Sequence, residues 1–226
     1  MKKMASLLLL GMFLIQESSN AQAIHIQSVS KKITLGFEIG PGLASLRGND
    51  VVDKYNSSLF VFSSGASLQY HLNDKFSLKS GIAYERKGNY SNPQVVDYSG
   101  NLLGYANSHM HLNYIVVPVL FKAEFGRQLK WFFNAGPYIG FLLDAKESIK
   151  LNGEESTMDL TDTYESTDLG ISGGAGLAYQ LNTQLGLSFE IRDDWGLKNI
   201  GKNVANNQTI KNNSIQFLLG LSFMLN

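Results

Sequence analysis

The 226-residue chain has no cysteine and only four prolines. Without cysteine there is no disulfide scaffold, no thiol nucleophile, no Cys-ligated zinc and no lipid attachment at an N-terminal Cys. Charge is scarce and balanced, 19 basic against 19 acidic side chains, which leaves no basic field for nucleic acid. Long hydrophobic runs are missing beyond the N-terminal segment: the stretch from Ile115 to Phe121 falls far short of the ~18 residues that a membrane-spanning helix needs. What the chain does have is 22 Gly, 13 Phe, 10 Tyr and 2 Trp, a composition that suits many strands better than a helical bundle.

The N-terminus reads as a secretory signal. Lys2 and Lys3 precede an apolar segment from Ala5 to Ile15, and Ala21-Gln22-Ala23 offers a small-x-small cleavage site. Cleavage there leaves residues 24–226 as one nearly neutral, exported domain.

Eight segments of that domain alternate with period two, the pattern of strands with two chemically different faces. They run from Ile33 to Leu46, Phe60 to Leu72, Phe76 to Lys87, Leu112 to Phe125, Trp131 to Leu143, Asp168 to Gln180, Leu185 to Arg192 and Ser214 to Leu225. In the first, Ile33, Leu35, Phe37, Ile39 and Leu43 oppose Thr34, Gly36, Glu38, Gly40, Gly42 and Ala44; the others repeat this division. The fourth is less tidy, since Val116, Pro118 and Leu120 share a face with Lys122 and Glu124. Pro118 cannot donate to a ladder, so a bulge or a missing bond is expected there.

Short turns near 73–75, 126–130 and 182–184 alternate with long polar loops near 47–59, 88–111, 144–167 and 193–212. An even number of strands with this rhythm is the signature of an all-β, eight-stranded antiparallel up-and-down transmembrane β-barrel in a bacterial outer membrane. A soluble lipocalin-like barrel would turn the same faces the other way. Against it, the Gly- and Ser-rich face carries few charges for a solvated surface. The apolar face also sets Tyr70, Phe76, Phe125, Trp131, Tyr179 and Phe223 at the short-turn ends, where an interfacial aromatic girdle belongs.

The stretches LKSGIAYERKGNY (78–90), NYIVVPVLFKAEFG (113–126), WFFNAGPYIGFLL (131–143), ISGGAGLAYQL (171–181) and DWGLKNIG (194–201) together resemble the PorT-like family of bacterial outer-membrane barrels. The likeness spans nearly all of the mature chain. Its most specific pieces are the Pro118 strand, Asn134-Ala135-Gly136-Pro137, and Gly196-Leu197 before Asn199-Ile200. The resemblance implies a small barrel without catalytic residues, with some relatives linked to secretion or gliding machinery. The chain departs from the usual terminal aromatic of such proteins, ending Phe223-Met224-Leu225-Asn226.

No cofactor, metal or catalytic site is expected. The Gly170 to Gly176 run lacks the Lys-Ser/Thr and helix start of a phosphate loop, and reads as room inside a narrow barrel. His109 and His111 lack a third ligand nearby, and His71, facing the lumen, does not suit a lipid hydrolase on the rim. The segment from Asp144 to Asp168 holds eight acids against Lys146 and Lys150, which suits a solvated loop, a basic partner or bridging cations.

The lumen-facing charges are Glu38, Glu85, Glu124 and Glu190 against Lys79, Lys87, Lys122 and Arg192. Glu85 with Lys87, Lys122 with Glu124, and Glu190 with Arg192 are pairs two residues apart on one face. Glu124 is further expected between Lys122 and Lys79. An eight-stranded barrel is only wide enough for side chains, so the lumen should be plugged by paired charges.

The expected protein is therefore a non-enzymatic barrel in outer-membrane lipid that meets a protein partner through its external loops. The alternative is a small-solute channel or ligand-binding barrel. The exported protein should begin at Ile24 and run as a heat-modifiable band from outer membranes, checked by N-terminal sequencing and unboiled electrophoresis. A soluble periplasmic product with that N-terminus would contradict this reading.

Overall fold

The structure, a computed structural model, describes residues 33–48, 56–151, 153–202 and 208–225; the expected signal segment, Met1 to Ala23, lies outside the described residues. Its strands are β1 (Ile33–Arg47), β2 (Asn56–Ser57), β3 (Leu59–His71), β4 (Phe76–Ser91), β5 (Gln94–Val96), β6 (Leu102–Tyr105), β7 (Asn107–Gly126), β8 (Leu129–Leu151), β9 (Glu154–Asp159), β10 (Thr167–Gln180), β11 (Leu185–Gly196) and β12 (Lys211–Met224). Eight of them form a ring in the order β10-β11-β12-β1-β3-β4-β7-β8, and β8 pairs back onto β10. Every pairing in the ring is antiparallel, from Phe37 opposite Leu221 to Ala175 opposite Phe133. Closure leaves the ring no unpaired edge, which is what a sheet surrounded by hydrocarbon requires.

Alternation sets which face is which. Leu35, Phe37, Phe62, Leu78, Phe133, Ile171, Phe189 and Leu219 are exposed on the outer wall, while Ser63, Gln69, Lys79, Glu85, Ser172 and Glu190 are buried within. This is the inverse of a soluble barrel, whose apolar face would point inward.

The irregularity expected at Pro118 is an interruption of pairing on one side of the strand. On the β8 side the register passes Pro118 without a shift. On the β4 side the pairing skips between Ser80 opposite Val119 and Ala83 opposite Val116, and Ser80 Oγ donates to the Pro118 carbonyl at 2.8 Å. The bulge sits elsewhere: Asn113 opposes Asp144 and Tyr114 opposes Leu142, which leaves Leu143 as the extra residue. Below it Phe132, Asn134 and Tyr138 point inward; above it the inward residue is Ala145.

The expected long loops are shorter than the pattern suggested, because pairing continues where alternation stops. β4 runs on to Ser91 and β7 starts at Asn107, with the β5–β6 hairpin between them. β8 continues to Leu151 and returns as β9, matching Lys146 to Asp159 and Lys150 to Glu155. Opposite charges facing across strands favour that pairing, yet both faces are wet, so no apolar rhythm marks it.

Loop residues also roof the lumen. Tyr164 and Ile200 are buried with Leu46, Met110, Leu112, Tyr114, Val116, Tyr138 and Ala145 in one apolar cluster. The backbone N–H of Glu165 donates to the Ile200 carbonyl at 2.7 Å, and Tyr164 bridges to Gly201. Asn199 fixes the insertion: its Oδ1 accepts from the N–H of Ile210 at 2.8 Å and of Gly201 at 3.2 Å.

The segment from Asp144 to Thr167 thus joins a projecting hairpin to a residue of the roof. Replacing residues 149–156 by a two-residue Asn-Gly turn should leave a heat-modifiable barrel in the membrane. Tyr164→Ala, which empties the roof, should cost about 3 kcal/mol in urea unfolding from lipid vesicles.

Candidate functional site: a layered lumen and an external surface

The inward side chains stack in three ionic layers. Nearest the short turns, Lys122 Nζ lies 3.1 Å from Glu124 Oε1 and 4.2 Å from the centroid of the Phe132 ring. Gln69 spans that pair, accepting from Lys122 at 3.2 Å and donating to Glu124 at 3.3 Å.

The middle layer is a closed quartet. Arg192 reaches Glu190 at 2.7 Å and Glu38 at 3.0 Å, and Lys79 pairs with Glu38 and, at 3.2 Å, with Glu190. Asn134 Nδ2 adds a hydrogen bond to Glu190 at 3.0 Å. Lys79 is thus fully engaged here. The arrangement expected from the sequence, Glu124 held between Lys122 and Lys79, does not form; the second partner of Glu124 is Gln69, because Lys79 points across the barrel to β1 and β11.

The third layer gathers around Lys87, which is fully buried, with Asp168 at 3.4 Å and Glu85 at 3.7 Å. Its ammonium lies 4.2 Å from the centroid of the Tyr138 ring. Tyr138 Oη and Asn212 Nδ2 donate to Asp168 at 3.1 and 2.9 Å, and Gln216 Nε2 donates to Asp194 at 3.1 Å. Asp168 and Asp194 are absent from the eight charges picked out of the sequence, yet both are buried. Asp168 falls where the acidic loop meets a strand, so by sequence it groups with the loop. Asp194 lies one inward position past Arg192, where the alternating segment ends by its apolar pattern. With them the lumen holds six carboxyl groups and four cations among the described residues, and both additional acids lie in this third layer.

The glycine-rich run of β10 serves these layers. A Cβ on Gly170 would meet the Tyr138 ring at 2.5 Å, and one on Gly176 would meet the Phe132 ring at 2.5 Å. These positions give large inward side chains of β8 the space a methyl group would take.

Beyond the third layer comes the apolar roof, which among the described residues caps the lumen at the long-loop end. At the short-turn end it opens into a vestibule of about 70 Å³ lined by Thr34, Gln69, His71, Lys122, Glu124 and Lys130, among others. His71 is tied there to Thr34 Oγ1 at 2.9 Å. A second space of about 20 Å³, next to Glu38, Lys79 and Arg192, has room for a single water.

A family model described as outer membrane protein beta-barrel domain matches residues 16–202. The chain belongs to this family. Among solved structures the barrel is similar to Neisserial surface protein A, with 15% identity, 85% of this chain and 97% of that chain covered, and a TM-score of 0.47. It is also similar to a major outer membrane protein from Thermus thermophilus, at 11% identity, 84% and 99% coverage and a TM-score of 0.46. A third is Ail of Yersinia pestis, in complex with sucrose octasulfate, at 10% identity, 86% and 99% coverage and a TM-score of 0.43. No curated protein matches the chain.

The outer wall of this outer-membrane barrel carries the aromatics singled out above. Tyr70, Phe76, Phe125, Trp131, Tyr179 and Phe223 are all exposed beside the short turns. Phe76 stacks on Phe121 at 5.5 Å, and Gln128 Nε2 donates to Tyr179 Oη at 3.0 Å. Further up the wall Phe60 and Trp195 are exposed near the tops of β3 and β11, and Phe141 is exposed on β8 opposite Thr167 at the start of β10, a set the sequence reading did not assemble. His109 and His111 stand on the outer surface of β7 with ring centroids 6.4 Å apart, and Tyr90 lies against His109. Among the described residues no third His, Cys, Asp or Glu joins them in a metal-holding group.

Three carboxyl groups around one ammonium make an asymmetric prediction. Lys87→Met leaves buried acids unpaired and should cost about 3–5 kcal/mol. Glu85→Gln keeps the shape and removes one of three clustered carboxyl groups, so it should cost clearly less. Urea unfolding of both variants in vesicles compares them, and equal losses would show that Lys87 is not the centre of the layer.

Proposed function

We propose that the protein is a non-enzymatic outer-membrane barrel whose working surface is its external hairpins, acting as an accessory of a secretion or surface complex. What carries this reading is the filled lumen: among the described residues, three ionic layers and an apolar roof occupy the interior, beside spaces of about 70 and 20 Å³. The resemblance to PorT-like barrels points the same way. A small-solute channel would need these layers to part, which means breaking several buried ion pairs at once.

The external surface is suited to contact. The β5–β6 hairpin presents Val96, Tyr98, Leu102 and Tyr105, all exposed, beyond the barrel. Its turn is held by Asp97, whose Oδ1 accepts from the N–H of Ser99 at 2.8 Å and of Asn101 at 2.9 Å, with Asn101 Nδ2 on Oδ2 at 3.0 Å. The Asn101 side chain, together with the backbone N–H groups, holds the Asp97 carboxyl below the usual carboxylate range. The turn thus keeps its charge-assisted bonds at neutral pH and loses them only in strong acid. A pre-formed apolar and aromatic tip loses little entropy on binding.

Two measurements test the proposal together. Planar-bilayer recordings should show no steady conductance; a stable open level would favour the channel reading. A photo-crosslinking residue in place of Tyr98 should capture a defined membrane or surface protein in native cells, whereas the same residue in place of Leu219, on the lipid-facing wall, should not.

A further inference from the structure

The outer end of the wall between β1, β12 and β11 carries a charge arrangement that the barrel does not require. Arg47 and Lys211 stand directly opposite each other in the β1–β12 ladder, both on the outward face. Like charges facing each other directly across strands are destabilising. The nearby rim cations are matched differently: Lys198 pairs with Glu165 at 3.5 Å and Lys146 with Asp144 at 3.7 Å. Among the described residues, neither Arg47 nor Lys211 has an acid within ion-pair distance. Asp193, the acidic side chain on the same outer face of β11, is close enough to feel the charge of Arg47 but forms no ion pair with either cation.

Arg47 is also held in place. Its guanidinium carbon lies 4.3 Å from the centroid of the Trp195 ring, and Nη2 donates to the Gly196 carbonyl at 2.5 Å. The side chain therefore lies across the outer face of β12, between Lys211 and the β11 tryptophan. Its Nε is buried and has no hydrogen-bond partner. Immediately below come Leu43, Phe217, Ile215 and Ile191, exposed on the lipid-facing wall. Two cations and an indole thus meet where the hydrocarbon band ends at the long-loop side of the barrel, the side that faces the cell exterior in this class of protein.

We infer that Arg47 and Lys211, with Trp195 as platform, form a binding site for a phosphate group on an outer-leaflet glycolipid. A phosphate oxyanion is the chemistry that fits: it takes charge-assisted hydrogen bonds from both side chains and removes their mutual repulsion. The lipid source is favoured by position, because a phosphate held here has its acyl chains beside Leu43, Ile215 and Phe217. The site is independent of the accessory reading, since it needs only the orientation of the barrel in the outer membrane.

Trp195 makes the site readable. The other tryptophan, Trp131, is near the opposite end of the barrel, so Trp131→Phe leaves a single reporter in the site. The full-length mature protein in detergent micelles is titrated with bisphosphorylated lipid A, with its dephosphorylated form, and with inorganic phosphate. Bisphosphorylated lipid A should give a saturable change in Trp195 fluorescence. Half-saturation should move to at least about tenfold higher lipid in Arg47→Gln and in Lys211→Gln, while Lys211→Arg stays near wild type. Heat-modifiability confirms that each variant is folded, and Lys211, which forms no ion pair among the described residues, can be changed while the Arg47–Trp195 stack is kept. An equal response to dephosphorylated lipid A, an unchanged response in Lys211→Gln, or no response at all would overturn the inference. Saturation by inorganic phosphate at the same concentration would show an anion site without lipid preference and would overturn the lipid assignment.

Discussion

An eight-stranded ring is so narrow that each inward side chain meets those from the far wall, and little water is left between them to screen charge. That geometry decides most of the interior. Charged residues inside must satisfy one another, and they do so in layers: a single pair bridged by Gln69, a four-membered ring, and Lys87 among acids. The same geometry explains why β10 is glycine-rich. Tyr138 and Phe132 lie on the neighbouring β8 and lean inward over β10, so β10 can present almost nothing at those heights.

The two ends of the cylinder are then built differently. At the short-turn end the chain returns within a few residues and has no material to spare for a lid, so a polar vestibule remains. At the other end the connections are long enough to fold back, and Tyr164 and Ile200 drop into the mouth. The roof ties loop conformation to barrel packing. A hairpin that projects beyond the roof is anchored through it, which gives an external contact surface rigidity without widening the pore.

Much of this was legible in the sequence because a membrane wall has an unusually clean rule: apolar out, small or polar in, period two. That rule located all eight ring strands, and the three pairs two residues apart do meet inside. It failed where its premise failed. Beyond the hydrocarbon both faces are wet, so the continuation of β8 into the β9 hairpin looked like loop. Cross-barrel contacts were equally invisible, since a period-two pattern says which way Lys79 points but not which far-wall residue it meets. It meets Glu38 and Glu190 rather than Glu124. Asp194 escapes the rule for a third reason: the apolar alternation is broken by Asp193 on the outward face, although Trp195 resumes it two residues on.

A barrel wall is one residue thick, so neighbours in sequence can belong to different electrostatic worlds. Asn212 points inward and donates to Asp168, while Lys211 beside it points out. Asp194 is buried in the lumen, and two residues on, Gly196 offers its carbonyl to Arg47 on the outer surface. The layer with more acids than cations thus lies just behind the rim where two cations face each other. Attraction through a thin, low-dielectric wall lessens the cost of both imbalances. It does not remove them: the carboxylates behind the wall cannot reach the outer donors, and Arg47 Nε stays without an acceptor. The interior acids therefore help to keep two cations in place at the membrane surface, where the Lys211 ammonium and the part of the Arg47 guanidinium not bonded to Gly196 face a group that arrives from outside.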